Sequence, residues 1–381
     1  MKPRHLFFIF LTAVGVVRSS PARAESISIA SVAASTPAVF SVSTSTHPIR
    51  AIHVTSWQAG STKYRRYLAN LFEHTMVNAV VIDIKEYQGE VYIPGVTAAQ
   101  EVRAYVKAMP DLATWLIDLK KRGIYTIARQ VVFKDNIMPR KRPTAGVQNY
   151  QGELWYDRHH VAWADPYDKE ARRYNLLIAL QASKLGFDEV QFDYIRFPTD
   201  GNLHAIHYPV PHNSASASAA LVEFLSQANQ LLHPLGTKIS IDVFGLTTSD
   251  NSGMGIGQLL APMTEKADYV CPMVYPSHYA RGEYGIPYPN SEPYKTVHYG
   301  LRDAVKALGP EQARKLRPYL QDFSLGVHYG LKEVRAQLQA AADVGIQDWS
   351  LWNPRCVYTV SALTTAPEPR PNSFHVNVST R

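Results

Sequence analysis

Cysteine is scarce in this sequence: only Cys271 and Cys356 occur among 381 residues. Two cysteines cannot build the disulfide framework that holds small secreted domains together, so the fold must depend on a hydrophobic core. Both cysteines fall at predicted strand or strand-end positions of different structural units. We therefore expect two separate, largely buried thiols and no disulfide.

Several enzyme motifs are also missing from the sequence. No Gly-x-Gly-x-x-Gly follows the first predicted strand, which argues against a dinucleotide-binding fold, and there is no Walker loop or Gly-x-Ser-x-Gly elbow. There is no His-Glu-x-x-His and no closely spaced His/Asp set typical of a catalytic metal. The pair His159-His160 lies in a polar stretch, which favours a surface position over zinc ligation. We expect neither a cofactor nor a metal.

Long apolar runs are absent except at the N-terminus. There Lys2 and Arg4 precede the apolar run Leu6–Val17, and Ala22-Arg23-Ala24 forms a small-x-small cleavage site. This order predicts a secretory signal peptide over residues 1–24, with an uncleaved anchor as the alternative. The run is short for a membrane span. We therefore expect a soluble mature chain, secreted or held in the periplasm or cell envelope, that begins near Glu25.

The charge of the mature chain is mild. Its formal net charge falls from +7 to +3 when the four basic residues of the signal are removed, namely Lys2, Arg4, Arg18 and Arg23. A small net charge gives little reason to expect nucleic acid as a partner, and we expect a monomer. One basic cluster is local and reads as a solvated loop or as a contact for an acidic polymer or protein partner: Lys134, Arg140, Lys141 and Arg142.

The remaining chain alternates short β-branched runs with longer amphipathic stretches, which is typical of βα units around a parallel sheet. We expect a Ser/Ala/Thr-rich linker over residues 25–47, a folded domain over residues 48–363 and a loose, Pro-containing tail over residues 364–381. The predicted strands are Ile52–Ser56, Ala79–Ile84, Tyr125–Val132, Glu189–Ile195, Lys238–Phe244, Tyr269–Tyr275, Arg317–Gln321 and Asp348–Trp352. The predicted helices are Lys63–His74, Leu112–Arg122, Lys169–Leu185, Ala215–Leu232, Ile256–Glu265, Tyr294–Leu308 and Leu331–Asp343.

Eight strands in this rhythm predict an α/β fold, specifically a (β/α)8 TIM-like barrel. Glycine follows several of the predicted helices at the left-handed cap position, as in Leu185-Gly186 and Leu308-Gly309. The chain after Trp352 is short, so we expect the eighth helix to be short or missing.

Strand parity selects two aspartates. In the fourth strand Gln191 and Asp193 alternate with apolar residues and should point into the barrel, and in the fifth strand Ser240 and Asp242 do the same. Both aspartates fall near the C-terminal ends of their strands, where barrel enzymes hold their reacting groups. They form a candidate acid/base pair, although each could instead bond loop backbone or pair with Arg196.

Other candidate residues lie at corresponding strand ends. Asp83 closes the second strand, where it could bind a sugar hydroxyl or pair with Lys85, and Asp322 closes the seventh with an ambiguous orientation. Aromatic residues at these ends suit the apolar faces of sugar rings but also suit a barrel core: Trp57, Tyr87, Phe197, Tyr275, Tyr279, Phe323, Trp349 and Trp352. Among them Tyr275 and Trp352 are the best candidates for ligand contact, and Trp349 is expected in the core.

The segment Gly186-Phe187-Asp188-Glu189-Val190-Gln191-Phe192-Asp193-Tyr194-Ile195-Arg196-Phe197-Pro198 resembles the signature of the putative glycoside hydrolase family, formerly a domain of unknown function in exported bacterial proteins. Further blocks are similar in the same order: Ala79–Lys85, Asp268–Tyr279, Tyr319–Phe323 and Trp349–Pro354. The similarity spans roughly residues 53–358. Cys356 departs from the small polar residue expected after the last block.

The resemblance implies a TIM barrel related to polysaccharide-cleaving enzymes. By analogy, Asp193 is assigned as nucleophile or charge stabiliser and Asp242 as general acid/base, with Asp322 in reserve. Arg196 would keep the Asp193 carboxylate ionised or bind substrate. The substrate-binding candidates are Asp83, Lys85, Arg196, Tyr275, His278, Trp352 and Asn353. The alternatives are a glycan-binding envelope barrel without catalysis and a scaffold for a protein partner.

Overall fold

A computed structural model describes residues 47–365, and these form a closed barrel of eight parallel strands. The strands are β1 (Arg50–Val54), β2 (Ala79–Lys85), β3 (Tyr125–Val131), β4 (Glu189–Asp193), β5 (Lys238–Phe244), β6 (Tyr269–Met273), β7 (Tyr319–Gln321) and β8 (Trp349–Trp352). They are hydrogen-bonded in chain order, and the barrel closes where β1 pairs with β8 through Arg50 and Trp349. The predicted (β/α)8 barrel is confirmed.

The principal helices between the strands also lie where the sequence predicts them. They are α1 (Thr62–His74), α2 (Leu112–Lys121), α3 (Lys169–Leu185), α4 (Ser214–Leu232), α5 (Leu260–Lys266), α6 (Pro293–Ala313) and α7 (Leu331–Asp343). Within the described part of the chain, β8 is followed only by the 3-10 turn Val360–Ala362, so the eighth α-helix is missing as expected. Gly309 interrupts α6 with φ +72°, close to the predicted end at Leu308.

Local sequence explains where the longest helices begin and end. The Asp168 side chain accepts a hydrogen bond from the Ala171 amide and so caps α3, which ends at Gly186 in the left-handed conformation. Asn213 and Ser216 form a reciprocal capping box at the start of α4. These caps satisfy backbone groups that the helix itself leaves unpaired, and they fix the helices on either side of β4.

Three local features differ from the sequence-based expectations. Strand β4 ends at Asp193 because Tyr194 turns into the left-handed region with φ +49°. Helix α5 begins at Leu260 instead of Ile256, since Gly257 has φ +82° and lies against the Ala217 backbone. A small antiparallel sheet of Gln148–Asn149 with Ile206–His207 was not predicted.

The core has two layers. Apolar residues on the outer faces of the strands pack against the helices; Phe192 on β4, for example, contacts Phe224 of α4 edge to face. The barrel interior holds buried polar and charged side chains together with a smaller apolar cluster of Ile49, Ala51, Ala79, Val81 and Ile127. Both cysteines are buried and free, as predicted: the Cys271 thiol lies inside the barrel near Gln191, and the Cys356 thiol accepts a contact from the Thr55 amide.

The predicted signal peptide, the linker as far as residue 46 and the tail from residue 366 onward lie outside the described residues. Within residues 47–365, the helices are all too short or too polar to cross a bilayer.

Candidate active site

Asp193 and Asp242 lie side by side at the C-terminal edge of the barrel. Strands β4 and β5 are in register at Phe192 and Ile241, so the two aspartates follow at the same level on neighbouring strands. Both line an open cleft of about 490 Å³. The expectation from strand parity holds, because both side chains point inward, towards the guanidinium described next.

Arg129 of β3 lies at the centre of this carboxylate cluster. Its Nη2 and Nε donate to Asp193 Oδ2 at 2.5 and 3.1 Å, and its Nη1 donates to Asp83 Oδ1 at 2.6 Å. Asp242 Oδ2 is 3.9 Å from Nε, and Glu86 Oε1 is 3.4 Å from Nη1. Burial opposes the charge on Arg129, but the surrounding carboxylates outweigh it and raise its pKa well above the usual value.

Asp242 has a different electrostatic environment from Asp193. Its side chain is 1 % exposed and its Oδ1 has no hydrogen-bond partner among the described residues. Burial first, and then repulsion from Asp193, raise the pKa of Asp242 well above that of an ordinary carboxyl. Asp193 instead accepts two charge-assisted bonds from Arg129. The pair therefore combines a carboxyl that holds its proton with a carboxylate stabilised by a cation.

The distance between the two aspartates is bounded by their shared neighbour. Asp193 Oδ2 is 3.1 Å and Asp242 Oδ2 is 3.9 Å from the same Arg129 Nε, so these oxygens lie no more than about 7 Å apart. Carboxyl pairs about 5–5.5 Å apart serve retaining glycosidases, and pairs about 6.5–9.5 Å apart serve inverting ones. A separation of at most about 7 Å is therefore compatible with the distance in retaining enzymes and with the shortest distances in inverting enzymes.

A second group of titratable residues lies on the other side of Arg129. His53 of β1 contacts Asp83 at 2.8 Å through Nε2 and stacks on Trp352 with ring centroids 3.8 Å apart. Burial, helped by the Arg129 charge, lowers the pKa of His53 to about 3, so the imidazole is neutral. Burial and the neighbouring Asp83 carboxylate raise the pKa of Glu86 to about 8. Glu86 is thus a second carboxyl that is protonated at neutral pH.

The backbone immediately after Asp193 is strained. Tyr194 has φ +49°, which costs a non-glycine residue roughly 1–2 kcal/mol. In this conformation its amide donates to Asp193 Oδ1 at 2.6 Å. Strain of this kind is typical of functional sites. Here it fixes the orientation of the Asp193 carboxylate.

Aromatic side chains form much of the cleft wall. Tyr275, Tyr279 and Trp352 all line it, together with His278. Burial, followed by the charges of Asp242 and Asp193, raises the pKa of Tyr275, so its phenol stays protonated. Trp349, in contrast, is in the core as expected, and Phe197 is fully buried.

Lys85 differs from its expected position in the cleft. The pairing of β2 with β3 shifts register between Asp83 and Lys85, so that Lys85 lies opposite Gln130, whose side chain bonds Asn175 of α3. Lys85 therefore points outward, is fully buried and forms an ion pair with Asp135 at 2.8 Å. Asp83 consequently pairs with His53 and Arg129, and the alternative of an Asp83–Lys85 pair does not occur.

Asp322 and Asn353 are brought together, but away from the lining of the cleft. Both oxygens of Asp322 accept bonds from Thr359, one from the amide at 2.8 Å and one from the hydroxyl at 2.7 Å. The Asn353 side chain donates to the carbonyls of Asp322 and Val357. These contacts hold the segment after β8 in place, and they direct both carboxylate oxygens of Asp322 to Thr359.

Arg196 does line the cleft, but it does not pair with Asp193 as suggested from the sequence. Arg129 occupies that position instead. In the basic cluster of the β3 loop, Lys134 pairs with Asp157, and Arg142 pairs with Glu101 and Glu170. Arg140 and Lys141 are exposed and form no ion pair with a described residue, so half of the cluster stays at the surface as free positive charge.

Sequence reasoning missed His53, Glu86 and Arg129. Arg129 had a readable signal, since it is a charged residue at an inward position of the predicted strand Tyr125–Val132. The importance of His53 and Glu86 depends on their distances to Asp83 and Arg129, which no single-strand pattern contains.

Residues 51–358 match a protein-family model described as "Putative glycosyl hydrolase domain". The chain belongs to this family. No curated protein matches the sequence significantly. Membership confirms the resemblance drawn from the Asp193 segment and supports a glycosidase-like function for the barrel.

Several solved structures are similar to this chain. The PgaB (BpsB) glycoside hydrolase domain from Bordetella bronchiseptica is 15% identical and has a TM-score of 0.62; the match covers 81% of this chain and 95% of that one. An α-galactosidase from Thermus thermophilus is 12% identical with a TM-score of 0.51, and the match covers 81% and 58%. A hypothetical protein from Ruminiclostridium thermocellum is 33% identical over 50% of this chain and 97% of its own, with a TM-score of 0.46. At these identities the first two comparisons show only that this chain shares their barrel fold.

Proposed function

We propose that the protein hydrolyses glycosidic bonds in an extracellular or cell-envelope polysaccharide. The observation that carries the proposal is the pair Asp193 and Asp242, which share one open cleft at the C-terminal edge of the barrel but differ in electrostatic environment. Glycoside hydrolysis needs one protonated carboxyl and one carboxylate. Environments that favour different protonation states in two neighbouring carboxyls are a common device for assigning these roles.

In the proposed mechanism Asp242 donates its proton to the leaving oxygen while Asp193 attacks the anomeric carbon. The glycosidic bond breaks, and a glycosyl ester of Asp193 forms. Asp242, now ionised, takes a proton from water, which releases the sugar and restores both carboxyls. Arg129 would hold Asp193 in its attacking orientation. Retention of configuration is favoured because short side chains on adjacent strands, about 4.8 Å apart, suit the smaller carboxyl separation.

Glu86 is a further protonated carboxyl near Arg129, but it is not among the residues that line the cleft. It holds a raised pKa of about 8 and contacts Arg129 from the side opposite Asp193. Sugar rings would stack on Trp352 and Tyr275, with His278 as a hydrogen-bonding group at the cleft wall. Asp83, which is fully buried between His53 and Arg129, would orient Arg129 and would not touch substrate.

Release of reducing ends from a broad polysaccharide panel tests the function. Asp193→Asn keeps the shape of the side chain and removes its charge, so we expect activity to fall by orders of magnitude with little change in melting temperature. Asp118→Asn, at an exposed position on α2, is the matched control and should stay active. An active Asp193→Asn variant would contradict the catalytic role.

The rival interpretation is a glycan-binding barrel without catalysis. It predicts that wild-type protein binds a polysaccharide of the panel but releases no reducing ends from it. The paired carboxyls favour hydrolysis, since binding alone does not require a protonated carboxyl beside a carboxylate.

The proposed location depends on the predicted signal peptide. Cleavage after Ala24 would place the barrel outside the cytoplasm, where such polysaccharides occur. N-terminal sequencing of the exported protein should begin near Glu25. An intact Met1 on protein recovered only from the cytoplasm would exclude this location.

A further inference from the structure

Arg196 is a buried cation on the cleft wall with an unusual set of neighbours. Its side chain is 6 % exposed, and its guanidinium lies over the rings of Trp163, Tyr194 and Phe244 at 5.0, 4.8 and 4.8 Å. The rings cover much of the guanidinium surface, while Tyr194, Phe244 and Arg196 itself line the cleft. The aromatic contacts therefore hold the group in a fixed position beside the substrate space.

The donors of Arg196 are only partly used. Nη1 donates to the Phe197 carbonyl at 3.0 Å and to the Thr199 hydroxyl at 3.3 Å. Nε and Nη2, which carry the other three N–H groups, donate to none of the described residues. These two nitrogens form one edge of the guanidinium, which is the edge that binds a carboxylate through two parallel hydrogen bonds.

Arg196 also differs from the other buried arginines of residues 47–365. Each of these other arginines forms an ion pair with a carboxylate. Arg129 pairs with Asp83 and Asp193, Arg172 pairs with Glu223, and Arg317 pairs with Glu189. Arg196 has no carboxylate of the described residues within ion-pair distance, and its burial lowers its pKa. Asp193, Asp200 and Asp157 offset this loss only in part, because none of them lies within ion-pair distance, so an anion bound at the open edge would stabilise the Arg196 charge.

We infer that Arg196 binds the carboxylate of a uronic acid residue, so that the polysaccharide accepted by the cleft is acidic. The inference rests on the proposed function, because it names the substrate class of the same cleft. The open edge of Arg196 matches a planar group with two oxygens. The other cation lining the cleft, Arg129, is already held by Asp83 and Asp193, and burial keeps His278 neutral by lowering its pKa. A sulfate or phosphate ester can also pair with a guanidinium edge, and the sulfated arm of the test below separates such an ester from a carboxylate.

The test compares binding of oligouronides with binding of the same oligosaccharides after chemical reduction of their carboxyl groups. Calorimetry on the full-length Asp193→Asn protein measures affinity without hydrolysis. We expect at least one oligouronide to bind about tenfold or more tightly than its reduced form, because the reduced form cannot accept charge-assisted hydrogen bonds from Arg196. Sulfated oligosaccharides form a third arm.

Variants at Arg196 locate the effect. Arg196→Gln, made in the same background, should bind acidic and reduced oligosaccharides equally, and Arg196→Lys should retain part of the preference. Arg302→Gln is the matched control, since Arg302 lies over the Tyr299 ring on the surface of α6, and it should keep the full preference. Binding of the reduced form by Arg196→Gln shows that this variant is folded.

Three results would overturn the inference: equal binding of acidic and reduced forms by the parent, an unchanged preference in Arg196→Gln, or a preference for sulfated over carboxylated chains. Absence of binding to every oligouronide would also overturn it. If the wild type hydrolyses a neutral polymer in that case, the proposed hydrolysis still stands and only the acidic substrate class is wrong. If the wild type hydrolyses no polysaccharide of the panel, both the proposed hydrolysis and the acidic substrate class are wrong.

Discussion

At the scale of single residues, the site depends on how one guanidinium is shared. Arg129 contacts Asp83 and Asp193 directly and has Asp242 and Glu86 at longer distances. One positive charge cannot balance four carboxylates in a buried site, so some of the carboxyls keep their protons. Burial, followed by repulsion from the neighbouring carboxylates, raises the pKa values of Asp242 and Glu86. The protonation states needed for acid/base work thus follow from burial together with an excess of carboxyls over cations.

Glu86→Gln provides a measurement of this effect on stability. The pKa of Glu86 rises from 4.5 to about 8 on folding, so the folded state binds more protons than the unfolded state between these pH values. The contribution of Glu86 to wild-type stability should therefore fall as pH rises through this window. Gln carries no charge, so the variant should gain stability relative to wild type from pH 5 to 8 and show no gain below about pH 4.5.

Urea unfolding at a series of pH values measures the difference. Glu311→Gln, at an exposed position of α6, should follow the wild-type profile. A Glu86→Gln curve parallel to wild type over the whole range would mean that Glu86 titrates normally.

At the scale of elements, strand parity correctly predicted that Asp193 and Asp242 point into the barrel, but it placed Lys85 on the wrong face of its strand. Asp193 and Asp242 point inward because β4 and β5 are regular and pair residue for residue. Strand β2 is not regular: its register against β3 shifts after Asp83, which turns Lys85 to the outer face. A shift of this kind depends on the partner strand, so the β2 sequence alone contained no sign of it. The same applies to Arg196, whose expected partner was taken by Arg129 from a different strand.

The segment after β8 is held against the barrel by Asp322, whose carboxylate accepts hydrogen bonds from Thr359. Asp322→Ala should leave the Thr359 amide without its partner and lower the free energy of unfolding by about 1–3 kcal/mol. We expect the folded variant to keep its glycosidase activity, because Asp322 lies outside the cleft lining. Chemical denaturation and a reducing-end assay well below the melting temperature give the two quantities.

Thr359→Val is the graded control for this element. It removes the hydroxyl bond to Asp322 but keeps the backbone bond, so its effect on stability should be smaller. Loss of activity in Asp322→Ala without loss of stability would restore Asp322 as the reserve acid.

At the scale of the whole molecule, the order of β and α elements and the barrel closure were predictable because they follow from local periodicity and helix capping. The filling of the barrel was not. Its interior holds the fully buried ion pair of Glu189 and Arg317. Above this pair, the Tyr319 hydroxyl donates a hydrogen bond to Gln191 Oε1 at 2.7 Å. These contacts join β4 to β7, which are not neighbours in the sheet. They arise only when the barrel closes, so no segment of sequence specifies them alone.

The buried pair allows a test of how the barrel interior is stabilised. Glu189 accepts bonds from Arg317 and from the Tyr125 hydroxyl, while Arg317 lies over the Tyr269 ring at 4.5 Å. Arg317→Met keeps much of the volume but leaves the Glu189 charge buried and unpaired, which should cost about 3–5 kcal/mol. Adding Glu189→Gln removes that charge and keeps the acceptor for Tyr125. We therefore expect the double variant to be more stable than Arg317→Met alone, which a double-mutant cycle from urea unfolding would measure. If the losses in unfolding free energy of the two single variants simply add in the double variant, this expectation is wrong. Arg317 would then act through its packing on Tyr269 instead of its charge.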